Sequence, residues 1–199
     1  DGFFQRIDFA IFGYQPARIW GIKFNDFFLQ ELFHFAYFSY YIMFPLLAFL
    51  LYFKHRKAFH HFVFIISFVF YICYITYNFL PVIGGRFWES TLELTKIYRF
   101  GIFTKIMAFI YNITTHFGGA FPSSHVAVAV AITISALRNV KWLGYIYIPL
   151  TFLLSVSTVY CHYHYFIDTI AGIAYGIGFY YLALKLYRIL KEKCLVYPS

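Results

Sequence analysis

Two short polar runs stand at the edges of long apolar segments: Phe121-Pro122-Ser123-Ser124-His125 and His162-Tyr163-His164-Tyr165-Phe166-Ile167-Asp168. In the first, a proline suited to the opening turn of a helix is followed by two hydroxyls and a histidine. A helix start presents free N–H groups and the positive end of the peptide dipole, both of which attract an anion. Ser123 and Ser124 add hydroxyl donors and His125 can deliver a proton, so the run suits a phosphate whose ester bond is to be broken. The plainer reading is an ordinary helix start with a serine cap and an interfacial histidine.

In the second run, His164 and Asp168 lie one turn apart if the helix has begun by His164, close enough for a hydrogen bond. Such a bond would fix the ring tautomer and leave the other nitrogen free to attack phosphorus. An intramembrane aspartate costs about 2.5 to 3.5 kcal/mol at a helix centre and less near the interface, so it asks for a partner or a function. A structural His–Asp pair joining two helices is the alternative. Arg86, in Leu80-Pro81-Val82-Ile83-Gly84-Gly85-Arg86-Phe87, has two readings as well: a bidentate clamp on phosphate oxygens, or a side chain reaching out to lipid head groups.

The elements that must hold these residues are membrane helices. Of the 199 residues 62% are hydrophobic, 26% aromatic and 12% charged, far from the soluble balance. Five segments approach the roughly 20 apolar residues that a bilayer requires: Phe35 to Phe53, Phe62 to Ile83, Pro122 to Leu137, Trp142 to Tyr160 and Tyr165 to Leu184. The third is short, but Ile106 to Phe121 before it is also free of Lys, Arg, Asp and Glu, so its upper end could be buried in protein. The runs are continuously apolar rather than alternating, which argues against barrel strands. The expected fold is all-α, a polytopic helix bundle forming one domain over residues 1–199. A chain that does not begin with Met also raises the expectation of an upstream sixth helix.

Basic residues set the orientation. Lys54, Arg56 and Lys57, then Arg138 and Lys141, then Lys185, Arg188, Lys191 and Lys193 fall on one face, expected to be cytoplasmic. Both polar runs and Arg86 then meet on the extracytoplasmic side. The net charge of +8 fits topology signals and anionic lipid head groups better than nucleic acid. Residues 3–33 and Glu89 to Phe117 mix aromatic and charged residues, as interfacial amphipathic helices do. His34, His116, His125, His162 and His164 invite a zinc or haem reading, yet no Cys or Glu cluster stands at ligand spacing, so neither metal nor cofactor is expected. His55, His60 and His61 belong to a basic turn and should be solvated. Cys73, Cys161 and Cys194 show no paired spacing, and no face stands out as an oligomer interface.

Pro122-Ser123-Ser124-His125, then Ser157-Thr158, five residues, His164, three residues and Asp168, resembles the second and third signature motifs of the type 2 phosphatidic acid phosphatase superfamily. The resemblance implies a six-helix, metal-independent enzyme working through a covalent phosphohistidine, with His164 as nucleophile, Asp168 orienting it, His125 as general acid, and Ser123 with nearby N–H groups holding phosphate. Departures accompany it. The Lys of the first motif is Phe79, Arg86 is followed by Phe87 rather than Pro, the Arg of the third motif is Thr158, and the Gly of the second is Ser124. Those changes, with Gly119-Ala120-Phe121-Pro122-Ser123, are similar to the inositol phosphorylceramide synthase branch. The leading expectation is cleavage of a lipid phosphoester or diphosphate. Arg86, Ser123, Ser124 and Thr158 are the expected substrate-binding residues. The alternatives are transfer of a phosphorylated head group to a lipid alcohol and a non-catalytic lipid-binding relative.

Overall fold

The shortest of the five apolar segments is the centre of the bundle. The computed structural model describes residues 1–87, 101–113 and 118–196, and its helices among them are α1 (Gly2–Phe12), α2 (Pro16–Lys23), α3 (Phe27–Lys54), α4 (Arg56–Phe79), α5 (Ile102–Ile113), α6 (Ser124–Asn139), α7 (Lys141–Tyr160) and α8 (Phe166–Val196), with a 3₁₀ turn at Gly85–Phe87. α6 is 16 residues long, or about 24 Å, less than the roughly 30 Å of a hydrocarbon core. Its small side chains, among them Ala127, Ala129, Ala131 and Ala136, are fully buried and let α3, α4, α7 and α8 pack around it. A helix surrounded by protein need not match the bilayer. The four helices long and apolar enough to cross a membrane are α3, α4, α7 and Phe166–Glu192 of α8. The protein is an integral membrane helix bundle.

Large apolar side chains point outward from these spans, Phe79 at 80% and Phe152 at 67% exposure, which is favourable only against lipid. Pro45 and Pro149 lie inside α3 and α7, as membrane helices allow where neighbouring helices support the freed backbone groups. α3 starts earlier than its apolar run. Asp26 caps it by accepting from the N–H groups of Phe28 and Leu29, so residues 27–33 extend the first span rather than lie flat.

Close backbone approach fixes α8 on α6. A Cβ at Gly172 would stand 2.6 Å from the Ser123 carbonyl oxygen, and one at Gly176 would stand 2.5 Å from that of Ala127. This is a small-xxx-small contact, which brings two helices together through van der Waals packing where no hydrophobic force separates protein from lipid. The connectivity puts the α3–α4 turn, the α6–α7 turn and the end of α8, with their basic residues, at one end and both polar runs at the other. At the latter end α1 packs on α8, α2 on α7 and α5 on α3. Of the stretch expected to be interfacial over Glu89 to Phe117, residues 101–113 carry α5, while the charged and apolar positions from 89 to 100, and His116, lie outside the described residues.

Candidate active site

Three chain segments converge at this end. Val82 and Gly119 form a short parallel bridge, and the Ala120 N–H donates to the Val82 carbonyl at 2.9 Å. Gly84 has φ +81°, and a Cβ there would press on the Tyr163 carbonyl at 2.8 Å, so this turn requires glycine twice over. The Ser123 N–H donates to the Asp168 carbonyl at 3.0 Å. The loop bearing Arg86, the first polar run and the second are thereby joined through main-chain contacts.

They enclose a cavity of about 490 Å³ lined by, among others, Arg86, Tyr111, Ser124, His125, Tyr163 and His164. His125 stands in the first turn of α6, its ring 4.9 Å from Tyr37 and 4.9 Å from Tyr40 of α3 and 6.4 Å from His164, centroid to centroid. His164 precedes α8, in the turn before Phe166, so the helical i,i+4 geometry expected for it does not form. Its Nδ1 lies 2.8 Å from the Ala120 carbonyl oxygen and 3.8 Å from Asp168 Oδ2. A carbonyl only accepts, so Nδ1 carries the hydrogen and a neutral ring keeps its lone pair on Nε2. Asp168 Oδ2 accepts from the Tyr165 N–H at 2.8 Å, while Oδ1 is buried without a hydrogen-bond partner. The carboxylate stands behind the ring and accompanies it electrostatically.

Arg86 is placed in the cavity wall. Its Nη2 donates to the Tyr111 carbonyl at 2.6 Å and its guanidinium lies 3.9 Å from the centre of the Tyr111 ring, a cation–π contact. The Tyr111 hydroxyl donates to that of Tyr37 at 2.6 Å, and the Tyr163 ring packs 4.4 Å from Tyr111 and 4.6 Å from Tyr37. Burial pushes the phenols of Tyr111 and Tyr163 up, so they stay neutral donors.

The remaining candidates divide. Ser124 lines the cavity. Ser123 is fully buried behind it and its hydroxyl has no partner. Thr158 is set apart: its hydroxyl bonds to the Ser155 carbonyl at 2.7 Å and the Thr169 hydroxyl at 2.8 Å, and its carbonyl accepts from the His164 N–H at 3.0 Å. It supports the turn carrying His164 without facing the cavity. His34 Nδ1 lies 2.7 Å from the Gln30 carbonyl and His162 Nδ1 bonds to that of Ala17. Among the described residues no group of three His, Cys, Asp or Glu side chains is disposed around a metal ion.

Sequence reasoning missed Tyr77. Its hydroxyl donates to the Pro122 carbonyl at 2.9 Å and accepts from the Ser124 N–H at 3.2 Å, pinning the start of α6. No local pattern marks it, because the bond joins residues 45 positions apart. The Gly172 and Gly176 pair had a signal, the four-residue spacing of small residues in an apolar helix.

Residues 21–182 match the profile of the PAP2 superfamily. A PA-phosphatase related-family protein of Dictyostelium discoideum is 30% identical over 99 residues, taking in 47% of this chain but only 17% of that longer protein. The crystal structure of Aquifex aeolicus LpxE aligns with a TM-score of 0.58 at 18% identity, covering 79% of this chain and 86% of that one, a likeness of fold.

Proposed function

Starting from a chain that belongs to the PAP2 superfamily, we propose that it is a membrane lipid phosphatase that cleaves a phosphoester or diphosphate bond through a phosphohistidine. The observation that carries this reading is the ring of His164, held by Nδ1 on the Ala120 carbonyl and facing His125 and Arg86 across one cavity. Nε2 of His164 attacks phosphorus as the bond to the leaving oxygen breaks, and that oxygen takes a proton from His125. Water then attacks the phosphorus–nitrogen bond, giving its proton to His125, and phosphate leaves. Asp168 steadies the positive ring of the intermediate. Arg86, the Ser124 hydroxyl and the dipole of α6 hold the phosphoryl oxygens. The basic turns at the opposite end support an extracytoplasmic position for the cavity.

A second reading is favoured by the cations around the site. The place of the Arg in the family's third motif is held by Thr158, whose hydroxyl is occupied within the bundle. A site with fewer phosphate-binding charges suits transfer to a lipid alcohol, as in the inositol phosphorylceramide synthase-like branch. One experiment separates the two. Purified protein in detergent is given a panel of lipid phosphates and diphosphates, with and without lipid alcohols, while free phosphate and new lipid are followed. Phosphate release lost in His164→Ala supports the phosphatase. A new phospholipid formed only with an alcohol present supports transfer, and full activity in His164→Ala sinks both.

A further inference from the structure

α1 is amphipathic in an unusual sense. Phe3, Phe9 and Ile11 are exposed, whereas Asp8, its one carboxylate after the first residue, has no exposed surface at all. A buried carboxylate is retained only where strong donors meet it. Here they are the N–H groups of Phe166 at 2.8 Å and Ile167 at 3.0 Å, the first two amides of α8. Burial raises the Asp8 carboxyl from its ordinary range, and these two bonds oppose that rise.

The residue at the N-cap of α8 is Tyr165, whose side chain cannot accept from the amides beyond it in the way Ser or Asp would. That task falls to Asp8, 158 positions before Phe166. The same helix reaches the rest of the site: Asp1 Oδ1 accepts from the Ile83 and Gly84 N–H groups at 3.0 and 3.1 Å, the Phe4 ring lies 4.5 Å from that of Phe121, and Gln5 Nε2 donates to the Tyr165 hydroxyl at 2.9 Å.

We propose that Asp8 is a positioning residue for the reaction, capping α8 in place of Asp168 so that Asp168 stays behind the ring of His164. Asp168 is the third residue of α8 and has one carboxylate oxygen without a partner. With Asp8 gone, the two amides lose their acceptor and Asp168 is the carboxylate on hand to replace it. The turn would then hold its cap at the expense of the alignment between Asp168 and His164. The inference rests on the phosphohistidine reading for its effect on turnover, while the cap itself does not.

The test compares Asp8→Ala and Asp8→Asn with the wild-type chain in detergent, using phosphatidic acid as substrate and hydrogen exchange at the start of α8. In Asp8→Ala the kcat should fall about 10- to 100-fold, the loss expected of a small misplacement of reacting groups, with KM nearly unchanged. Asp8→Asn keeps one accepting oxygen for one of the two amides and turns its NH2 on the other, so it should recover only part of that rate. Exchange should quicken at both Phe166 and Ile167 in the alanine variant and at only one of the two in the asparagine variant. Unchanged kcat in Asp8→Ala, equal loss in both variants, or unchanged exchange would each overturn the proposal. A wild-type chain that turns over no lipid phosphate strikes the phosphohistidine reading instead, and the exchange result still decides whether Asp8 is the cap.

Discussion

Two helices begin side by side at the same end of this bundle, and they end up with opposite electrostatic assignments. The start of α8 is claimed from within: Asp8 takes its first two amides and Asp168 reaches back to the Tyr165 N–H. The start of α6 is claimed by no carboxylate among the described residues. The Ser123 side chain makes no cap bond, Tyr77 meets the Ser124 N–H with a hydroxyl, and Ser124 and His125 face the cavity. A neutralised helix start can stabilise the positive ring beside it, and one without a carboxylate can receive an anion. The proposed mechanism calls on both properties.

That contrast can be broken in graded ways. Removing the proposed nucleophile gives the largest effect: His164→Ala should lower kcat by at least about 10³-fold, read as lost phosphate release and lost labelling of the protein by a brief pulse of radioactive lipid phosphate. Moving the two starts apart comes next. In Gly172→Ala the added methyl meets the Ser123 carbonyl, and overpacking of this kind costs about 1 to 3 kcal/mol of stability. Both the melting temperature and kcat should fall, whereas Gly178→Ala, where nothing lies within 4 Å, should leave both in place.

Altering the cation in the cavity wall, Arg86, has a smaller effect. Arg86→Lys keeps a charge but not the two-pronged fork. A KM raised about tenfold, the value of one charge-assisted bond, is the expected result, measured by phosphate release across substrate concentration. The smallest effect concerns stability alone. Burial holds the His162 imidazole below its ordinary value, partly offset by its bond to Ala17. The folded state therefore binds this proton less readily than the unfolded one. The contribution is fully present above about pH 6.5 and fades as pH falls through the depressed folded value. His162→Gln should flatten the fall in melting temperature below pH 6.5.

The helices and both polar runs were legible because each signal is local. Continuous apolar runs name the spans, and Ser124, His125, His164 and Asp168 sit in short motifs. The enclosure of α6 was legible only in outline, since its alanines show small volume but not which helices use it. Asp8 was read as part of an interfacial stretch, because a cap supplied from the other end of the chain leaves no trace at either position. The tyrosine cluster around Arg86 was lost against 20 tyrosines and 28 phenylalanines. A common letter carries little information until packing selects it.

The hydrogen bond that sets the tautomer of His164 ends on the main chain at residue 120. Every residue type has that oxygen, so no exchange of side chain at this position can delete the acceptor. What preserves it is the path of the chain, set by the Val82–Gly119 bridge and by the room that Gly84 leaves for its neighbours. A scan replacing residues one at a time would therefore feel at the buried position 120 the packing of its side chain rather than loss of the acceptor, and would find the glycine at 84 intolerant. The phenotype of the anchor would be recorded at an address some 36 residues away from the atom responsible.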